Sequence, residues 1–124
     1  MQALLLVAHG SRRAQSNEEV AILADKIKDR CADQYEVVHA AFLELAEPSI
    51  PEGIKQCAEQ GATSIVVLPY FLNSGRHVTE DIPAIVNSAK PGYPDVDIQI
   101  ASHLGASDQM VELLINVSKT ASGS

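Results

Sequence analysis

The sequence predicts an α/β domain built on a doubly wound, four-stranded parallel sheet. Two short runs, residues 3–8 and 64–68, are apolar throughout, which is typical of strands buried on both faces. In the segments between such runs, apolar residues recur at helical spacing among charged ones. Strands and helices therefore alternate along the chain. This alternation favours right-handed crossovers, with helices on both faces of the sheet.

The four expected strands differ in how apolar they are. The first and third should be central, because their apolar runs are continuous. The fourth alternates apolar and polar residues and should lie at an edge or have one solvated face. A strand order of 2-1-3-4 fits this pattern. The strands are predicted over residues 3–8, 36–43, 64–68 and 96–100.

Capping residues indicate where the helices begin. Ser16-Asn17-Glu18-Glu19 and Ser49-Ile50-Pro51-Glu52 both have the S-x-x-E form of a capping box. Thr79 is expected to cap a third helix with acidic residues in its first turn, where they suit the helix dipole. Ser107 is expected to begin the last helix.

Length and composition limit the possible classes of protein. A chain of 124 residues has room for one core, and we expect one domain over residues 1–120 and a flexible tail over 121–124. No apolar run approaches the ~18 residues of a membrane span. Residues 1–3 lack the basic segment of a signal peptide. Cys31 and Cys57 do not form a C-x-x-C motif and are predicted to be free thiols. A cytoplasmic protein with no membrane partner is expected.

The charge distribution and the missing motifs exclude further partners. The net charge is −7 and there is no basic patch, which argues against nucleic acid as a partner. Neither G-x-x-x-x-G-K-[ST] nor G-x-G-x-x-G after a strand is present, so no nucleotide cofactor is expected.

Two of the predicted strands end in loops that carry a histidine. His9 follows the first strand directly, and His77 closes the loop after the third. In doubly wound sheets, ligands bind beyond the carboxyl ends of the strands, at the point where the winding reverses. For the order 2-1-3-4 this point lies between strands one and three. Two imidazoles there are suited to bind a divalent transition metal, and one of them can instead accept a proton.

Other polar residues near this edge of the sheet are weaker candidates for the site, because their positions also suit solvated surface residues. Arg76 lies inside the second loop and is the strongest candidate for an anion contact, whereas Arg12 could equally be a solvated surface residue. Glu44 and Glu47 follow the second strand, either as carboxylate partners of the site or as surface acids. His103 follows the fourth strand at the same rim and is a further candidate.

In three motifs the sequence resembles the small CbiX-type sirohydrochlorin chelatases. They are LLVAHGSR at residues 5–12, FLELAEPSIP at 42–51 and LPYFLNSGRHVTEDIP at 68–83, followed by a Leu-Gly-Ala turn at 104–106. The motifs occur in the family's order and cover nearly the whole chain. The family resemblance implies a single-lobe, flavodoxin-like fold of the chelatase type.

The resemblance also implies an activity and a set of site residues. The family inserts a divalent metal (Co²⁺, Fe²⁺ or possibly Ni²⁺) into sirohydrochlorin without ATP. Its metal-binding histidines correspond to His9 and His77, and His9 corresponds to the proton acceptor. Its substrate contacts correspond to Glu47, Leu72, Asn73, Ser74, Gly75, Arg76 and His77, with Ser11, Arg12 and Glu44 as further candidates.

Larger relatives have two such lobes, so the resemblance implies a homodimer of this single lobe, with the tetrapyrrole between two protomers. A non-catalytic metal or tetrapyrrole carrier is an alternative function. A histidine-type phosphatase is disfavoured, because Ala8 stands where that class has arginine before its His-Gly pair. The metal is left open, since two imidazoles accept several divalent ions.

Overall fold

The computed structural model describes residues 1–122, and its centre is a parallel four-stranded sheet. The strands are β1 (Gln2–Ala8), β2 (Val37–Phe42), β3 (Ser64–Pro69) and β4 (Asp97–Ile100). Their order across the sheet is β2-β1-β3-β4, and every neighbouring pair is parallel. The predicted fold class and strand order are confirmed, with β1 and β3 in the centre.

Helices cover both faces of the sheet, as expected. They are α1 (Ala14–Arg30), α2 (Ile50–Glu59), α3 (Ile82–Ala89) and α4 (Gln109–Ser118). Helix α1 packs on one face, over Leu4, Leu6 and Val38. Helices α2 and α3 pack on the other face and close the larger core. A π-helical turn (His77–Asp81) precedes α3, and a 3₁₀ turn (Leu104–Ala106) precedes α4.

Strand β1 is the most enclosed element of the molecule. It pairs with β2 along one edge and with β3 along the other. From Ala3 to Ala8 no residue exceeds 7% exposure. Alternate residues serve the two cores, with Leu5 on the side of α2 and α3 and Leu6 on the side of α1. The continuous apolar run is thus explained by burial on both faces.

One predicted capping box forms. The Ser49 hydroxyl accepts a hydrogen bond from the Glu52 N–H at 3.3 Å and donates to the Glu52 carboxylate at 3.2 Å. Helix α2 starts directly after Ser49, with a proline in its first turn, where no N–H is required. Gly61 follows the helix with a φ of +98°, the left-handed conformation of a C-terminal cap.

The capping box at residues 16–19 does not form, and that prediction was wrong. Helix α1 already begins at Ala14. Asn17 instead binds the main chain of Ser11: its Oδ1 accepts from the Ser11 N–H at 2.9 Å and its Nδ2 donates to the Ser11 carbonyl at 2.7 Å. A contact with the loop after β1 has therefore replaced the local cap.

The start of the third helix also differs from the prediction. Helical structure begins at His77, so Thr79 lies inside the π-helical turn and caps nothing. Its hydroxyl donates to the Gly75 carbonyl at 3.2 Å. The last helix starts at Gln109, and the Ser107 hydroxyl accepts from the Gln109 N–H at 3.2 Å, close to the expected position.

The chain ends in a short 3₁₀ turn, Lys119–Ser122. Of the tail predicted over residues 121–124, residues 123 and 124 lie outside the described residues. Within residues 1–122, no helix has both the length and the apolar character needed to cross a membrane.

The two cysteines are free but differ in burial. Cys57 of α2 is fully buried, and its burial raises the pKa of the thiol to about 11. Cys31, just after α1, is only partly buried. Because the thiolate is the reactive form, the structure assigns low reactivity to Cys57.

We predict that a thiol reagent at about pH 8 labels one cysteine per native chain, Cys31, because Cys57 is both protonated and inaccessible. Unfolding in guanidinium should expose the second thiol. The control is Cys31→Ser, which should show no rapid labelling before unfolding. Rapid labelling of Cys57 in the native Cys31→Ser protein would contradict the packing described for α2.

Candidate active site

The two histidines predicted from the loops lie side by side at the carboxyl edge of the sheet. His9 follows the end of β1, and His77 opens the π-helical turn after the β3 loop. Their ring centroids are 4.8 Å apart, with the planes at 69°. The side chains are 40% and 44% exposed. The structure therefore places two imidazoles in contact, at a mouth that is open to solvent.

Both ring nitrogens of His9 face hydrogen-bond acceptors. Nδ1 lies 2.9 Å from the Gly10 carbonyl, and Nε2 lies 3.1 Å from the Glu44 carboxylate. A carbonyl oxygen can only accept, so Nδ1 carries a hydrogen and donates it. In the neutral ring, Nε2 then has a lone pair facing a carboxylate. A proton or a cation between Nε2 and Glu44 satisfies both groups.

His77 is held by a carboxylate from its own helical turn. Its Nδ1 donates to Asp81 Oδ2 at 2.8 Å, and Phe71 lies against the ring with the centroids 6.5 Å apart. The Nε2 lone pair remains available for a ligand. A carboxylate on the distal nitrogen fixes the tautomer and raises the basicity of a metal-binding imidazole.

Asp81 is a site residue that the sequence analysis missed. By its position after Thr79, the sequence predicts only an acid in the first turn of a helix there. The signal that identifies it is its spacing from His77, because residues four apart in a helical turn lie on one face. A helix that started at Thr79 would not include His77, so the spacing of His77 and Asp81 would carry no meaning. Because helical structure starts at His77, the two side chains share one face.

A close backbone contact brings Glu44 to His9. The Glu44 N–H donates to the His9 carbonyl at 3.0 Å. Gly10 has a φ of +94°, and a Cβ there would stand 1.7 Å from the Glu44 carbonyl oxygen. Only glycine fits this position. The loops after β1 and β2 are thereby packed backbone to backbone at the site.

A second contact of this kind supports the loop after β3. Gly105 donates its N–H to the Phe71 carbonyl at 2.9 Å, and a Cβ on Gly105 would stand 1.7 Å from the Leu72 carbonyl oxygen. The turn before α4 thus lies directly against the loop that leads to His77. Leu72 itself is 62% exposed, and residues 73–76 are exposed as well.

The site offers a cation few protein ligands. Glu44 and Asp81 give the mouth a negative field that attracts cations. Within the described part of the chain, however, no three His, Cys, Asp or Glu side chains converge on one metal position. A divalent ion bound by the two imidazoles would therefore retain open coordination positions, as catalytic rather than structural metal sites do.

The predicted basic and hydroxyl residues lie around this mouth without contacting the histidines. Arg76 Nε forms an ion pair with Glu80 at 3.1 Å, with side chains 80% and 65% exposed. Arg12 is exposed. The Ser11 hydroxyl accepts from the Arg13 N–H at 3.0 Å and helps to close the turn into α1.

Two other candidates lie apart from the imidazole pair. Glu47 is exposed and lines a cleft of about 220 Å³ along the outer edge of β2, together with Asp25 and His39. His103 precedes the 3₁₀ turn before α4. Among residues 1–122, no hydrogen bond or ion pair joins either residue to His9 or His77.

The chain is similar over most of its length to known sirohydrochlorin chelatases. The sequence profile described as CbiX matches residues 3–121. The chain is 33% identical to a sirohydrochlorin cobaltochelatase of Methanocaldococcus jannaschii, covering 94% of this chain and 96% of the relative. It is 31% identical to a sirohydrochlorin ferrochelatase of Priestia megaterium, covering 93% of this chain but only 42% of the relative.

Solved structures show the same relation. The chelatase SirB from Bacillus subtilis subspecies spizizenii, in complex with cobalt, superposes with a TM-score of 0.85 at 34% identity, over 96% of this chain and 50% of that one. SirB from Bacillus subtilis with Fe³⁺ gives a TM-score of 0.80 at 35% identity, over 90% and 43% of the two chains. Profile, relatives and structures agree that the chain belongs to the CbiX family.

Proposed function

We propose that this protein inserts a divalent metal ion, Co²⁺ or Fe²⁺ and possibly Ni²⁺, into sirohydrochlorin without a nucleotide cofactor. The observation that carries the proposal is the pair of imidazoles with ring centroids 4.8 Å apart at an open mouth of the sheet. Relatives that share the fold are sirohydrochlorin cobaltochelatases and ferrochelatases. Related structures contain cobalt or Fe³⁺.

Metal insertion requires the exchange of two pyrrole N–H protons for one divalent ion. His77 is suited to hold the ion, with His9 as the second imidazole ligand, because Asp81 keeps the Nε2 lone pair of His77 free. His9 is suited to accept a proton at Nε2, because the Glu44 carboxylate 3.1 Å away stabilises the resulting imidazolium. Glu44 is 54% exposed and can pass each proton on to water, so that His9 can accept the second.

The surroundings of the mouth suit a polycarboxylate ring. Arg12 and Arg76 are exposed cations beside it. The exposed ion pair of Arg76 with Glu80 is weak enough to exchange for a substrate carboxylate. The backbone of residues 72–76 is accessible in the same loop. Glu47, which follows β2 at this edge of the sheet, is proposed as an acidic substrate contact.

A homodimer is part of this proposal. The chain spans 50% of the SirB chain and 42% of the Priestia megaterium ferrochelatase, so a second protomer can occupy the place of the missing half. The mouth is exposed on the side where such a partner would lie. A cytoplasmic location fits the two free thiols.

His9→Ala should reduce Co²⁺ insertion into sirohydrochlorin by at least about 100-fold, because it removes the proton acceptor. Insertion is followed under anaerobic conditions by the change in the absorption spectrum of the tetrapyrrole, with a protein-free reaction as the baseline. The control is Gln99→Ala, because Gln99 is exposed on β4 and its side chain bonds Asp97 rather than a residue of the mouth.

Activity of His9→Ala within about twofold of the wild type would rule out the role assigned to His9. A wild-type protein that binds metal and tetrapyrrole without accelerating insertion over the baseline would instead identify a carrier.

Asp81→Asn should weaken Co²⁺ binding and slow insertion by about 10- to 100-fold, because an amide can donate to Nδ1 and move the ring hydrogen to Nε2. Calorimetry measures the affinity, and ¹⁵N NMR of the histidine rings reports the tautomer of His77. Glu80→Gln is the matched control, since Glu80 pairs with Arg76 and not with the imidazole. An unchanged His77 tautomer together with unchanged affinity would show that Asp81 has no positioning role.

A further inference from the structure

Asn17, near the start of α1, joins this helix to the loop that carries His9. Its side-chain amide forms two partly buried hydrogen bonds with the main chain of Ser11. Oδ1 accepts from the Ser11 N–H at 2.9 Å, and Nδ2 donates to the Ser11 carbonyl at 2.7 Å. Asparagine is a poorer helix former than alanine, because its amide competes with the backbone for hydrogen bonds. The contact with Ser11 accounts for an asparagine at this position of α1.

The Ser11 N–H belongs to the same peptide group as the Gly10 carbonyl, which faces the His9 ring. This carbonyl oxygen lies 2.9 Å from His9 Nδ1. The peptide is trans and planar, so its N–H and its C=O point in opposite directions. Because Asn17 holds the N–H on one side, the carbonyl oxygen is held at Nδ1 on the other. Asn17 is thus linked to the imidazole through one rigid group.

This peptide lies just beyond two main-chain hydrogen bonds that fix the end of β1. The Ala8 and His9 carbonyls accept from N–H groups of the loop after β2, at 2.9 and 3.0 Å. The next carbonyl is that of Gly10, whose φ is +94°. Glycine has access to both signs of φ, so it does not by itself prevent this peptide from rotating. The hydrogen bonds of Asn17 supply that restraint.

The position of the Gly10 carbonyl matters because the His9 ring has a second acceptor. The Glu44 carboxylate lies 3.1 Å from Nε2, and a charged acceptor forms the stronger hydrogen bond. A hydrogen on Nε2 would occupy the lone pair that binds a metal ion or a proton. The Glu44 side chain is 54% exposed and can turn toward solvent, whereas a carbonyl held in the main chain cannot. The fixed acceptor therefore decides which nitrogen of the neutral ring carries the hydrogen.

We propose that Asn17 is a positioning residue for metal insertion. By holding the Gly10–Ser11 peptide, it keeps the hydrogen of the neutral His9 ring on Nδ1 and leaves the Nε2 lone pair free. The hydrogen bond from the Ser11 N–H also polarises the peptide and makes its carbonyl a better acceptor. The effect on activity rests on the function proposed above, whereas the effect on the ring does not.

A purely structural role for Asn17 is the alternative. The N-cap residue of α1, Arg13, forms no side-chain capping hydrogen bond, so the contact with Ser11 would serve only to fasten the start of the helix to the loop. Loss of such a contact would change the stability of the fold and leave the ring hydrogen of His9 where it is. The position of that hydrogen therefore distinguishes the two roles.

The first measurement uses the metal-free wild type. Nitrogen-15 NMR of the histidine rings, recorded at alkaline pH where imidazole is neutral, reports the tautomer of His9. His9→Ala identifies its signals. The hydrogen should be on Nδ1. A wild-type His9 ring with its hydrogen on Nε2 would overturn the proposal, and this result does not depend on the folding of any Asn17 variant.

Asn17→Ala should move the ring hydrogen of His9 from Nδ1 to Nε2, because the released peptide no longer offers a fixed acceptor and Glu44 attracts the hydrogen. Co²⁺ insertion into sirohydrochlorin should slow by about 10- to 100-fold, the usual effect of losing an outer partner of a metal ligand. The matched control is Asn87→Ala, an exposed asparagine of α3, which should change neither the tautomer nor the rate. An Asn17→Ala protein that keeps the hydrogen on Nδ1, or one that inserts metal as fast as the wild type, would refute the positioning role.

Asn17→Asp covers the case in which Asn17→Ala fails to fold. It keeps an oxygen for the Ser11 N–H and loses only the donor to the Ser11 carbonyl. It also places an acid near the start of α1, where the helix dipole stabilises it. Its His9 ring should keep the hydrogen on Nδ1, and a hydrogen displaced to Nε2 would count against the proposal.

The two readouts separate this proposal from the function on which it rests. A ring hydrogen that moves in Asn17→Ala, in a protein whose wild type never inserts metal, refutes the chelatase and leaves the link from Asn17 to His9 in place. A wild type that inserts metal, with a His9 tautomer that Asn17→Ala does not change, refutes the link and leaves the chelatase in place.

Discussion

The two-sided pairing of β1 is the constraint on which the rest of the structure depends. Ala8 of β1 lies opposite Phe42, the last residue of β2. Val7 lies opposite Pro69, the last residue of β3, so the three strands end at the same edge of the sheet. The loops that carry His9, Glu44 and His77 therefore leave the sheet side by side. Because β1 is covered on both faces as well, its end is held in place by burial, and the site inherits that rigidity.

The site combines rigid backbone with accessible side chains. Gly10 and Gly105 allow neighbouring loops to touch through their backbones, which orients the imidazoles without filling the space above them. Each histidine has Nδ1 engaged, His9 by a carbonyl and His77 by a carboxylate. In the neutral rings the lone pairs are thereby left on the two Nε2 atoms, which can bind a metal ion or a proton.

The surface of the molecule includes apolar residues that its two cores do not cover. The apolar residues of α1, α2 and α3 pack into two core clusters on the two faces of the sheet, whereas no residue of α4 is buried. Helix α4 carries the excess. Its exposed apolar residues adjoin Tyr70 and Leu72, with which Met110 and Leu113 line one cavity beside the site.

Local patterns in the sequence were enough to determine the strands, their order, the cap at Ser49 and the rim at which His9 and His77 meet. These features depend on apolar periodicity and on the handedness of crossovers, which short stretches of sequence express. The partners of the histidines were decided only by the tertiary structure. Asp81 reaches His77 because helical structure starts at His77, and Glu44 reaches His9 because Gly10 allows two loops to touch. Such contacts join residues that are distant in sequence or depend on where a turn begins, and no local propensity specifies them.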